Sequence, residues 1–282
     1  MDNLGAIRRP RLSASEAHDL ASARARDAGV ELSELRSSDE FATAAALLAQ
    51  IWGTSVDAAP LPADLLASFV HAGSCVVGAR DGDRLVGLAV CLAGAPHSSQ
   101  VYSLIAGSTA EVSGRGVGIA LKFGQRAWAL DRGAERMVWT FDPLVRRNAH
   151  FNLTKLGARA VEYLPDFYPP MHDTINRQDL TDRLVVRWEL ASPAVELHGG
   201  ERAVTMVGQD GVQRPVLCDP GRSGWVGVEV PADIEVLRRT DPALAREWRL
   251  TLRRALTSLL SGGYRIAGFA RGGYLLQRGP DD

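Results

Sequence analysis

The chain has 282 residues, 46% of them hydrophobic, and 32 Lys+Arg against 33 Asp+Glu leave a formal net charge of -1. That length allows one large domain or two modest ones with a full core, and the balanced charge excludes a global field for nucleic acid or an anionic membrane. No apolar run approaches the ~18 residues of a membrane span and the N-terminus shows no signal-peptide core, which predicts a cytoplasmic protein.

In chain order, residues 13–29 (SASEAHDLASARARDAG) predict a short capped helix ending at Gly29, and residues 1–29 as a whole an N-terminal extension. VELSELRS (30–37) predicts a strand, and 38–53 a helix with an N-cap and periodic Phe41, Ala44, Ala45, Leu48 and Ile51. PADLLASFVHAG (62–73) opens on a helix-start proline and closes on glycine. Residues 74–94 are two apolar runs around Asp81-Gly82-Asp83, a strong hairpin signal that makes the strands antiparallel neighbours. A strand over 100–108 leads into a glycine-rich loop. A helix over 118–133 follows, with Ile119, Phe123, Ala127 and Leu130 on one face, and then a strand over 136–144. A helix over 146–157 ends at Gly157, a strand covers 160–165, residues 166–182 are too polar and proline-rich for anything but a loop, and a strand covers 182–190.

The order through residue 190 is βααβββαβαββ. It predicts an α/β (α+β) fold, with a mixed, mostly antiparallel sheet of about seven strands and helices on both faces. Residues 30–190 form that domain. Residues 191–282 are a C-terminal strand-and-helix extension, expected to pack on it, with strands at 204–207 and 225–230 and a helix from Pro242 to Ser261 whose apolar stripe is Leu244, Trp248, Leu252 and Leu259. The cysteines, Cys75, Cys91 and Cys218, lack metal-ligand spacing and read as buried small apolar residues in a reducing compartment, so no metal site is expected.

The loop and helix start EVSGRGVGIAL (111–121) is where chemistry is expected, because glycines let a ligand approach the backbone amides. A Walker A loop is excluded, since Ile119-Ala120 stand where Lys-Ser/Thr should follow the last glycine. A dinucleotide fingerprint fits better, with Asp142 as a ribose-binding acid at the end of the next strand. Leu121 at the third glycine position, the preceding hairpin and the shortage of βα repeats count against it. A tight strand-to-helix turn with no ligand is the remaining alternative.

Residues 30–190 resemble the GNAT superfamily of acyl-CoA-dependent N-acyltransferases in element order, in the glycine loop and in the helix ending KLGA (155–158). The family loop runs Arg/Gln-x-x-Gly-x-Gly/Ala. Ser113-Gly114-Arg115-Gly116-Val117-Gly118 matches it except at the first position. The resemblance implies that these residues hold the pyrophosphate of coenzyme A at a helix N-terminus, and that Ala110, Glu111 and Val112 pair with the pantetheine arm. It places Asn148 near coenzyme A. It implies acyl-CoA as co-substrate and a small-molecule amine as partner, with neither nucleic acid nor membrane, and it allows a homodimer. The family's usual acid is a tyrosine four residues before the helix-ending glycine, and here that position is Leu153.

A base and an acid must then come from elsewhere. Asp142 either relays the amine's proton or caps the helix near Arg146. Tyr168 and His172, on the long loop, are acid, base or surface. Arg183 and Arg187 alternate on one strand and either bind a carboxylate or form a solvated face. FDPL, RNAHFNL, KLGA and TDRLVVRWEL resemble one GNAT branch that includes amino-acid N-succinyltransferases, implying an amino-acid-like acceptor and permitting a carboxylated acyl donor. A degenerate domain that binds acyl-CoA without turnover, as a sensor or scaffold, is the alternative that Leu153 keeps open.

Overall fold

In the computed structural model the described residues are 11–95, 97–171, 173–192, 203–210 and 213–279. The chain divides into two compact units, one of residues 1–51, 59–137 and 189–194 and the other of 52–58, 138–188 and 195–282.

The first unit opens with helix α1 (Ala14–Ala28). Ser13 and Glu16 cap it reciprocally, and Gly29 ends it in the left-handed region at φ 64°. Strand β1 (Glu31–Glu34), helix α2 (Ser38–Trp52), helix α3 (Ala63–His71) and strands β2 (Cys75–Asp81), β3 (Arg84–Leu92) and β4 (Gln100–Ser108) follow. The β2–β3 hairpin turns at Gly82, φ 57°, as the Asp-Gly pair predicts. Helix α4 (Val117–Asp131) packs on α1 through Ala17, Ala21 and Ala127, small residues that let the helices approach closely.

The second unit holds most of strand β5 (Arg136–Phe141), where Met137, Trp139 and Phe141 alternate inward. A single turn, α5 (Arg146–Ala149), runs on into π-helical residues His150–Lys155. This replaces the plain helix expected, and such widened turns often occur at functional sites. Strands β6 (Arg159–Leu164) and β7 (Arg183–Glu189) pair antiparallel, and Trp139 meets Trp188 edge to face at 6.4 Å.

The first sheet runs β1-β2-β3-β4-β5-β7-β6, and the pairs β1/β2, β2/β3, β3/β4 and β6/β7 are antiparallel. The fold class is the mixed, mostly antiparallel α/β arrangement predicted.

The C-terminal part builds a second sheet that the sequence reading did not contain. Strands β8 (Val204–Gln209), β9 (Pro215–Leu217) and β10 (Trp225–Glu229) are followed by helices α6 (Ile234–Thr240) and α7 (Pro242–Ser261), then strands β11 (Tyr264–Ala270) and β12 (Gly273–Arg278). The sheet order is β11-β12-β10-β8-β9. Within this unit the C-terminal part is fastened to residues 138–188: Tyr274 donates to the Pro143 carbonyl at 2.6 Å, Arg146 to that of Val230 at 2.6 Å and Thr154 to that of Phe269 at 2.7 Å.

Candidate active site

In the first unit, β4 ends at Ser108 and the chain makes a 3-10 turn over Ala110–Val112 before the glycine loop. Ala110, Glu111 and Val112 stand on this turn, where the Val112 amide donates to Thr109 and the Glu111 side chain is paired with Arg84.

The loop itself bends through Gly114 at φ 81° and Gly116 at φ 97°, conformations that β-carbon-bearing residues rarely adopt. A β-carbon at Gly114 would meet nothing within 4 Å, and one at Gly116 only Ala28 Cβ at 3.8 Å. The surroundings are therefore open. The Ser113 and Arg115 amides donate to Ala110 and Val112 carbonyls at 3.1 and 3.2 Å. Those of Gly114, Gly116, Val117 and Gly118 find no acceptor among the described residues. They gather where the 15-residue helix α4 begins, with no capping side chain and no acid in its first turn. Unused amides and the helix dipole together favour an anion.

Arg115 has another task. Its guanidinium donates to Asp81 at 2.8 Å and to the carbonyls of Ala28 and Gly29 at 3.2 Å each, so it fastens the loop and is not left for a phosphate.

In the second unit the centre is a cluster of buried charges. Asp142 Oδ1 accepts the Leu144 amide at 2.9 Å, an Asx turn, while Val145 occupies the helix N-cap position. Its Oδ2 accepts from Arg238 and, at 2.8 Å, from Arg249. Both arginines also hold Asp179 Oδ2, at 2.9 and 3.1 Å. Burial alone would raise the Asp142 carboxyl, but the Arg249 and Arg238 charges outweigh it and hold the carboxyl well below the usual range. A carboxylate so stabilised is a weak proton acceptor, and the bonds that stabilise it are not those of a helix cap. Arg253 grips Asp182 and, at 2.8 Å, Asp166, and Tyr163 also donates to Asp182. The ends of the 166–182 segment are thus tied to α7.

The other expected residues are placed as follows. The Tyr168 hydroxyl stands 3.5 Å from that of Thr140, and its ring lies 5.2 Å from the Arg183 guanidinium. His172 lies outside the described residues. Arg183 is buried and Arg187 half-buried on β7, so the pair is not a solvated strand face. Asn148 is half-buried on α5, with no hydrogen bond to its carboxamide among the described residues. Leu153 is 7% exposed, an apolar side chain inside the unit. Cys75 and Cys91 are buried as expected, but Cys218 is exposed.

Sequence reasoning missed Arg238, Arg249 and Asp179. One signal was available: Arg249 falls between Trp248 and Leu252 on the buried face of α7, where an arginine needs a partner.

No family model matches the chain, and no curated protein matches it. Solved structures do. The ribosomal-protein-S18-alanine N-acetyltransferase from Escherichia coli is 12% identical and covers 60% of this chain and 99% of its own, at a TM-score of 0.47. A putative acetyltransferase from Salmonella typhimurium with its cofactor acetyl-CoA is 16% identical, covering 59% and 97% at 0.45. A GNAT family acetyltransferase from Elizabethkingia anophelis with acetyl-CoA bound is 13% identical, covering 57% and 98% at 0.43. No described helix is long and apolar enough to cross a membrane, and no group of three or more potential metal ligands occurs among the described residues.

Proposed function

We propose that this chain is an acyl-CoA-dependent N-acyltransferase of the GNAT kind, moving an acetyl or larger acyl group such as succinyl to the amine of a small molecule. The transfer is by direct attack of the amine in a ternary complex, in the reducing cytoplasm. One observation carries the reading: four unused amides, of Gly114, Gly116, Val117 and Gly118, at the start of α4 and directly after the antiparallel strands β2, β3 and β4. The space beside both glycines leaves the amides open to a diphosphate, which they would hold. Two residues on from Ser113, Arg115-Gly116-Val117-Gly118-Ile119-Ala120 meets the family pattern at every position, and because the Arg115 side chain is engaged by Asp81, Ala28 and Gly29 the backbone supplies most of the grip.

Coenzyme A supplies the activated thioester, and the chain must supply orientation and a route for the amine's proton. Asp142, held ionised by arginines, is a poor base. We assign proton handling to the 166–182 segment, to the Tyr168 hydroxyl beside Thr140 and to His172. Acetyl-, propionyl-, malonyl- and succinyl-CoA crossed with pooled amino acids and amines should give acceptor-dependent release of free thiol. Stabilisation by NAD with none by any coenzyme A ester would overturn the proposal.

Two observations favour a second reading, an acyl-CoA sensor without turnover: the apolar Leu153 at the family's acid position, and the clamped Asp142. Tight acyl-CoA binding with no thiol release across the panel would select it.

A further inference from the structure

The carboxylates around Arg183 are already allocated. Asp142 and Asp179 are each shared by Arg238 and Arg249, and Asp182 is held by Arg253 and Tyr163. The hydrogen bonds of Arg183 go to neutral groups, the Asp182 carbonyl at 3.3 Å, Met171 Sδ at 3.3 Å and Asn176 Oδ1 at 3.4 Å. Its ion pair with Asp142 is long, 3.8 Å, and adds no hydrogen bond. Only 6% of Arg183 is exposed, so water compensates little of its charge. Beside it Arg249, 0% exposed, has Nε and Nη1 with no partner. Buried guanidinium N–H groups without acceptors are costly, and an ion cluster normally satisfies them.

We infer that Arg183, flanked by the Tyr168 ring and Met171, is a binding site for a carboxylate. A planar fork matches a carboxylate bidentately, and a guanidinium already stripped of water loses little on binding one. Arg238 and Arg249 serve it indirectly. By hydrogen-bonding Asp142 and Asp179 they leave Arg183 only the longer 3.8 Å ion pair with Asp142. The site lies within the second unit and does not depend on the glycine loop. The assignment of its ligand as the acyl acceptor rests on the acyltransferase reading. Taken with it, the acceptor is an amine that also carries a carboxylate.

The test uses the whole chain and three pairs of probes that differ in charge: glycine and glycinamide, β-alanine and β-alaninamide, 4-aminobenzoate and 4-aminobenzamide. Calorimetric titration should show at least one carboxylate binding ~10- to 100-fold more tightly than its amide, the range of a charge-assisted hydrogen bond. Arg183→Gln should abolish the preference. Because that position is buried, Arg183→Lys is the second variant: it keeps the charge, removes the fork and should lose most of the preference. Absence of binding by all three carboxylates, equal binding of acids and amides, or an undiminished preference in both variants would overturn the inference, and the acid-against-amide comparison needs no variant. Thiol release as fast with amides as with acids would sink this inference and leave the acyltransferase standing. Carboxylate binding without thiol release from any acyl-CoA would do the reverse.

Discussion

Lys122 shows how one buried charge shapes the response of the molecule to pH. It lies on α4 at 4% exposure and donates to Ser103 at 2.7 Å, and Ser103 donates to Gln125 at 2.9 Å. Burial lowers its ammonium to about 7. The unfolded chain keeps that proton up to about 10.4, so between these values it binds more protons than the folded one and stability rises with pH. Urea melts from pH 7 to 9 should show Lys122→Met lacking a rise of up to ~1.4 kcal/mol per pH unit relative to the parent, and parallel curves would contradict the account. Asp142 acts with the same sign in a lower pH window. Its carboxyl is depressed, so its stabilisation is present above the unfolded value near ~3.9 and is lost as pH falls through and below it. Asp142→Asn should destabilise the chain by ~3–5 kcal/mol at neutral pH, because Arg238 and Arg249 lose a shared carboxylate, and should blunt the acid transition. Turnover per folded molecule should fall by less than ~10-fold, whereas loss of a positioned base costs ~10²–10⁴-fold.

At the scale of elements, the glycine loop owes its form to backbone that few side chains tolerate. Gly116→Val puts a β-branched residue at φ 97°, where the amides gather. It should abolish stabilisation by coenzyme A in a thermal melt, and unchanged stabilisation would remove the loop from the site. Gly114→Ala separates strain from contact, since its β-carbon meets nothing within 4 Å. A stability loss of ~1–2 kcal/mol in a denaturant melt is expected from the left-handed conformation alone. Helix α1, the β2–β3 hairpin and α7 were legible because their signals are local: the Ser13–Glu16 box, Asp81-Gly82-Asp83, and Asp241 before Pro242. The β11–β12 hairpin carried a similar signal at Arg271-Gly272, both at positive φ, that the reading passed over. The π-helical residues 150–155 had none, because an α-helix and a widened one share the same apolar spacing.

At the scale of the whole molecule, residues 203–279 are part of how residues 138–188 hold together. Arg238, Arg249 and Arg253 partner the buried carboxylates Asp142, Asp179 and Asp182, and a chain stopped at residue 192 would strip these arginines from all three, leaving Asp182 with Tyr163 and Asp142 with the longer Arg183 pair. Such a truncation is expected to lose the cooperative unfolding of that region, checked by hydrogen exchange over 138–188, where protection equal to the full chain would refute the role. The sequence by itself determined the order of elements, the mixed sheet and the place of the glycine loop. Caps, turns and periodicity act over a few residues and survive in any tertiary setting. Only the tertiary structure decided what the charged residues do. Asp142 reads as a base or a cap from its neighbours, yet its partners Arg238 and Arg249 stand 96 and 107 residues further along the chain. A carboxylate's strength as a base depends on charges a few ångströms away in space, and sequence distance carries no record of them.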